Sequence, residues 1–155
     1  ELGYDVSDAM AMVLVYEGML TSESLGELYR SVDSFVLATH GEGWGLPLLE
    51  AMACGLPTIA TAWGGHTDFM GAGRGILVGI ADTLVPAPSE EFGVGFNWAQ
   101  PRHELLRQAL RTVSAQGNET KALARRGWAW VHDKLQYEDV AQLAKRMLDN
   151  STKAH

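Results

Sequence analysis

Apolar and polar positions alternate along this chain in two rhythms, short continuous apolar runs and longer stretches at helical spacing. MVLVYEG (Met12 to Gly18) is an apolar strand candidate ended by glycine, and Thr21 then offers an N-cap for a helix reaching about Val32, with Leu25, Leu28, Tyr29 and Val32 on one face. SFVLA (Ser34 to Ala38) predicts a second strand. A glycine-rich loop and a helix from about Leu46 to Ala53 follow it, and Gly55 terminates that helix. PTIAT (Pro57 to Thr61) and GILVG (Gly75 to Gly79) predict two more strands. Both are apolar throughout rather than alternating, as expected of a parallel sheet covered on both faces. GAGRG, residues 71 to 75, lacks the strand and helix that a dinucleotide fingerprint needs and reads as a turn. Residues 81–100 form a polar, Pro- and Gly-rich insertion with a short pairing around Phe92 to Phe96. Beyond it the rhythm is helical only: one helix opened by Pro101, a second from about Glu119 to Leu135 after the break at Gly117 and Asn118, and a third from about Glu138 to Leu148. The expected fold is α/β, a Rossmann-like parallel sheet layered by helices, with a helical C-terminal end over residues 101–150 in one domain spanning 1–155.

Composition narrows the class without altering this outline. A folded chain of 155 residues removes roughly 70% of its unfolded surface from water, enough for one core. With 46% hydrophobic and 20% charged residues it belongs with globular proteins. A net charge of −7 gives no general attraction to nucleic acid or anionic lipid. The single cysteine, Cys54, cannot form an internal disulfide or a zinc site, and with no signal peptide or spanning segment the expected compartment is the cytoplasm.

The chemistry concentrates in GEGWGLPLLEAMACG, residues 41 to 55. This stretch lies at a strand-to-helix turn on the carboxyl edge of the expected sheet, where open α/β folds bind ligands. Pro47 suits the first helical position and places Leu46 near the N-cap. The unpaired first-turn amides and the positive end of the helix dipole then form a phosphate seat. Gly43 and Gly45 let a ligand approach the main chain, and the amides of Trp44, Gly45, Leu46 and Leu48 are the expected donors. Glu42 and Glu50 bracket the seat as acceptors suited to hydroxyl groups. A ligand with a ribose, phosphates and a sugar matches the three zones. Taken singly, either glutamate is also explained by the helix dipole, and the glycines by a tight turn. His40 and His66 flank the site without metal-ligand spacing, and His40 is assigned a modest donor-side role. Arg30 is expected to be solvated, and Arg74 is a weak phosphate candidate.

Spacing adds a specific signal. Glu42 and Glu50, separated by seven residues and followed by EAMACGLPTIAT, resemble the E-x7-E signature of retaining glycosyltransferases of family 4, which have the two-domain GT-B fold. LGELYRSVDSFVLATHGEGWGLPLLEAMACGLPTIATAWGG is similar to the C-terminal, donor-binding domain of that family, and the likeness weakens after about Gly79. The resemblance implies that Glu42 is the catalytic candidate, near the anomeric carbon of the transferred sugar, and that Glu50 accepts from the donor ribose. It also implies that the amides at Trp44, Gly45 and Leu46 meet sugar hydroxyls and the distal phosphate, and that Gly64 and Gly65 line the pocket, with Thr61 a weaker contributor. Neither metal nor cofactor is implied beyond the nucleoside diphosphate sugar itself. The family's first strands, its basic Arg and Lys pair and its acceptor domain have no counterpart before Met12, so the isolated chain is expected to be inactive, with a bare sheet edge open to self-association. The two functions left open are the donor-binding part of a hexosyltransferase and a non-catalytic nucleotide-binding or interaction module.

Overall fold

A computed structural model describes residues 15–82, 84–86 and 97–135. Its elements are α1 (Ser22–Arg30), β1 (Phe35–Leu37), α2 (Leu46–Ala53), β2 (Thr58–Thr61), α3 (Thr67–Met70), β3 (Ile76–Val78), β4 (Val85–Pro86), β5 (Asn97–Trp98), α4 (His103–Ser114) and α5 (Asn118–Lys134). Strands β1, β2 and β3 form a parallel sheet in that order. Phe35 stands beside Thr58, and Ile59 beside Ile76. Each strand returns through a helix on the way to its neighbour, as parallel pairing requires. The α/β, Rossmann-like layering expected from the apolar runs is what the chain adopts.

Period-two alternation on β2 divides the core. All four of its residues are buried. Ile59 and Val78 face α4 and pack with Ala109 and Val113. Ala60 faces the other way, into a cluster with Leu48, Leu49 and Met52 of α2, Phe69 and Met70 of α3, and Val131 of α5. Burying each such large side chain contributes about 1.5–3 kcal/mol, so this second cluster anchors the turn that carries the candidate site. Helices α2 and α5 approach closely at Gly127, where an added Cβ would meet Met52 Cε at 3.2 Å.

Several boundaries differ from the sequence expectation. Thr21 caps α1 as expected, accepting from the Ser24 amide at 3.2 Å, but the helix ends at Arg30 rather than near Val32. Pro101 does not open a helix: it bridges Ile80, and Arg102 is the N-cap of α4. The short α3 was not expected at all, because four residues are too few to show a helical period. In the insertion, β4 and β5 pair antiparallel, Val85 beside Trp98. Of the expected strand Met12–Gly18, residues 15–18 belong to no strand, and Val15 and Tyr16 are exposed with no sheet to cover. Residues 12–14, the pairing around Phe92 to Phe96 and the helix Glu138–Leu148 lie outside the described residues. Strand β1 pairs only with β2, so its other edge has no strand partner among the described residues. Nor is any helix among them long and apolar enough to cross a membrane.

Candidate active site

The site grows from two loops at the carboxyl edge of the sheet, residues 38–45 after β1 and 62–66 after β2. Gly45 is the N-cap of α2 with φ 90°, a left-handed conformation that favours glycine, and an added Cβ would press on His66 Cβ at 3.0 Å and Leu48 Cδ1 at 3.1 Å. The cap therefore falls one residue before Leu46, and Pro47 sits at the second helical position rather than the first. Proline is tolerated at either place, since neither amide has an intrahelical partner.

This geometry decides which amides can serve a ligand. Leu48 N–H donates to the Gly45 carbonyl at 3.0 Å, and Leu49 N–H to the same oxygen at 3.2 Å. The expectation that Leu48 would be a free donor is thereby corrected: the tight first turn uses its amide. Pro47 has none. The amides of Trp44, Gly45 and Leu46 have no hydrogen-bond partner among the described residues. They lie at the positive end of the α2 dipole.

Gly64 and Gly65 pack against the loop that carries Glu42. An added Cβ at Gly64, whose φ is 125°, would overlap the Glu42 carbonyl oxygen, and one at Gly65 would overlap that of Gly43. The Gly65 amide donates to the Glu42 carbonyl at 3.1 Å. The two loops are thus joined backbone to backbone, with the Gly65 amide spent on the Glu42 carbonyl. His66, fully buried, braces the same junction through Nε2, 2.6 Å from the Thr61 carbonyl. A carbonyl only accepts, so Nε2 carries the hydrogen in this bond. Its Nδ1 and the buried hydroxyls of Thr39 and Thr61 have no partner among the described residues, leaving unmet polar capacity behind the loops.

The two carboxylates belong to different segments, Glu42 to the loop before α2 and Glu50 to the helix itself. Glu42, half-buried, packs its Cγ 3.5 Å from where a Gly45 Cβ would stand. Glu50, exposed and four residues after Leu46, is held from the α1 side by Tyr29, whose Oη donates to Glu50 Oε2 at 3.0 Å. Sequence reasoning missed Tyr29 in this capacity because its helical spacing marked it as core. It is indeed buried and meets Phe35 edge-on at 5.6 Å. A phenol carries a donor at the tip of an apolar ring, so it can both end an apolar stripe and orient an acid, and that is the signal available in the sequence.

Burial first, and then the bond to Glu50 and its negative charge, push the Tyr29 pKa up to about 12. The folded state therefore keeps a proton that an unfolded tyrosine releases near pH 10. Tyr29 favours folding fully below pH 10, and this contribution is lost as pH rises from 10 toward 12. Denaturation midpoints measured across that window should fall more steeply for the wild type than for Tyr29→Phe, and the slowest-titrating tyrosine absorbance should vanish in the variant.

Among the other candidates, His40 is committed to the insertion. Its Nδ1 donates to the Ala99 carbonyl at 2.9 Å, the Ala99 amide donates to the His40 carbonyl at 3.3 Å, and the imidazole stacks on Trp98 at 5.1 Å. Only Nε2 is left to face a ligand. Arg74, the weak phosphate candidate, is engaged within the protein. Its guanidinium donates to the Phe69 carbonyl at 2.5 Å and the Asp68 carbonyl at 3.3 Å, and lies over the Trp130 ring. Arg30 is exposed, as expected. No group of three or more His, Cys, Asp or Glu among the described residues is placed to hold a metal ion. The edge is an open shelf, rimmed by Trp44, Leu46 and Trp63, which are 45%, 62% and 43% exposed.

Comparison with known proteins places these features in a family. Residues 5–90, more than half of the chain, match the family described as "Glycosyl transferases group 1". Mannosylfructose-phosphate synthase of Agrobacterium fabrum is 33% identical over 103 residues, covering 66% of this chain and 21% of that protein. D-inositol 3-phosphate glycosyltransferase of Salinispora tropica is 32% identical over 139 residues, covering 85% of this chain and 26% of its own. Sucrose-phosphate synthase from Thermosynechococcus elongatus superposes with a TM-score of 0.69 over 91% of this chain and 31% of its own, at 23% identity, and so shares the fold. The chain spans about a fifth to a quarter of the length of these curated relatives. By the extent of the family match and the glycosyltransferase-like architecture around it, the chain belongs to the group 1 glycosyl transferases.

Proposed function

We propose that this chain forms the donor-binding part of a hexosyltransferase, one that takes a nucleoside diphosphate sugar and transfers the hexose with retention of anomeric configuration. The observation that carries the reading is the trio of amides at Trp44, Gly45 and Leu46 without partners among the described residues, with Glu42 in the loop that leads to them and Glu50 held by Tyr29 in the helix they open.

In this reading the amides and the helix dipole hold the donor diphosphate and the sugar hydroxyls nearest to it. Tyr29 occupies one oxygen of Glu50, so the other is the acceptor for ribose hydroxyls, already oriented before the donor arrives. Glu42, fixed through its own backbone by Gly65, faces the transferred sugar. The acceptor hydroxyl attacks the anomeric carbon from the side of the departing diphosphate. The bond from that carbon to the phosphate oxygen breaks, the bond to the acceptor oxygen forms, and the hydroxyl proton passes to the phosphate. Negative charge grows on the leaving group in the transition state, where preorganised amides stabilise it more than in the ground state. The engaged Arg74 leaves the remaining diphosphate charge to cations other than itself.

Calorimetric titration with UDP and with GDP tests the donor half of this reading. The wild-type chain should bind one of them, and Glu50→Ala should weaken that binding by roughly 10- to 100-fold, the worth of a hydrogen bond to a charged group. An unchanged affinity would remove Glu50 from the ribose site.

A further inference from the structure

The described residues enclose a cavity of about 400 Å³ on the opposite edge of the sheet from Glu42 and Glu50. Its walls are the segments that precede the strands, Asp33 before β1 and Gly55–Pro57 before β2, closed by the end of α4 and one face of α5. The front shelf plays no part in it.

Its chemistry is uneven. Val113, Leu56 and Ala124 make an apolar floor. Lys121, Arg125 and Trp128 recur at four- and three-residue spacing on α5, so all three project into the same opening. The Trp128 ring is stacked on His132 at 4.2 Å, and Gly55, with φ 79°, brings the turn so near that an added Cβ would stand 3.9 Å from Trp128 Cδ1. Across the mouth, Asp33 is engaged by Gln116, whose Nε2 donates to Oδ1 at 3.0 Å. Lys121 and Arg125 have no carboxylate partner among the described residues, where the ion pairs are Arg102–Asp82, Arg107–Glu104 and Lys134–Asp133. In a chain of net charge −7, two adjacent cations with no ion pair among the described residues, at the lip of an apolar hollow whose one lining acid, Asp33, is engaged by Gln116, mark a place for an anion with a hydrophobic body.

We infer that this cavity is a second ligand site, for a small molecule that joins an aromatic or aliphatic ring to one phosphate or carboxylate group. The ring displaces water from the apolar floor beside Trp128, and the anion is met by Lys121 and Arg125, the guanidinium offering paired donors. The volume suits a single ring with its charged substituent rather than a polymer.

Phenyl phosphate is the probe. Titrated into the full 155-residue chain, it should shift the indole N–H resonance of Trp128, assigned by its absence in Trp128→Phe, with saturation. Phenol and inorganic phosphate, which each carry half of the chemistry, should bind at least tenfold more weakly. The double variant Lys121→Ala/Arg125→Ala changes only exposed side chains and should keep the wild-type denaturation midpoint while losing phenyl phosphate affinity by tenfold or more. A Trp128 resonance that stays in place, a double variant that binds unchanged, or phenol equal to phenyl phosphate would each overturn the inference. Because the readout is on the far edge of the sheet, failure here leaves the donor reading untouched.

Discussion

Gly64→Ala is expected to destabilise the chain by about 3 kcal/mol, by forcing a side chain into a left-handed backbone conformation and pushing the Glu42 carbonyl away. For a chain of this size that corresponds to a fall in Tm of roughly 10 °C. The effect follows from the absence of anything soft to give way, since the added Cβ overlaps a backbone oxygen rather than a mobile side chain. The displaced Glu42–Gly43 segment also carries the hydrogen bond to Gly65, so the two loops should part together. Gly43→Ala is the matched control: an added Cβ there meets nothing within 4 Å, and the midpoint should stay within about 0.5 kcal/mol of wild type. Thermal and urea denaturation of the three proteins would distinguish a backbone junction from an ordinary flexible loop, for which both substitutions would be mild.

The second large effect concerns chemistry. Glu42→Gln keeps the shape of the side chain and its packing beside Gly45 while removing the negative charge that the proposed function sets against the transferred sugar. In the complete transferase, sugar transfer should fall by roughly 10²–10³-fold, the scale seen when one preorganised electrostatic partner of a transition state is lost. Affinity for the nucleoside diphosphate without its sugar should change little, because Glu50 and the amides are intact. This split between turnover and binding separates a role at the anomeric carbon from a general loss of the site. Equal loss of both would assign Glu42 to holding the loop.

What the sequence made legible, and what it did not, divides along physical lines. Helix α2 was readable to within a residue at its start, because a proline and a left-handed glycine, Gly55, mark its two ends, although the cap proved to be Gly45 rather than Leu46. Strand β2 was readable because a short run rich in β-branched residues, with Pro57 before it and glycines soon after it, fits a strand buried on both faces. The start of α4 was not, since Pro101 serves equally well in a bridge, and only the fold reveals that Ile80 is waiting for it. Glycines behaved the same way at the site. Gly64 and Gly65 announce that something comes close, and no pattern says whether it is a ligand or, as here, the backbone of Glu42 and Gly43. Tyr29 reads as core by spacing, and its hydroxyl finds Glu50 only because α1 and α2 lie side by side. The amide inventory was partly wrong for a related reason. Whether Leu48 N–H is free depends on how tightly the first turn winds, and a 3.0 Å bond to Gly45 decides it.

Amide-resolved NMR of the 15N-labelled chain during titration with UDP or GDP, whichever binds, measures the heart of this account. The amides of Trp44, Gly45 and Leu46 should move most. Those of Leu48 and Gly65, already bonded within the protein, should move little. Saturable binding that leaves Trp44, Gly45 and Leu46 in place, with its shifts gathered on another part of the chain, would contradict the assignment of a diphosphate to the start of α2.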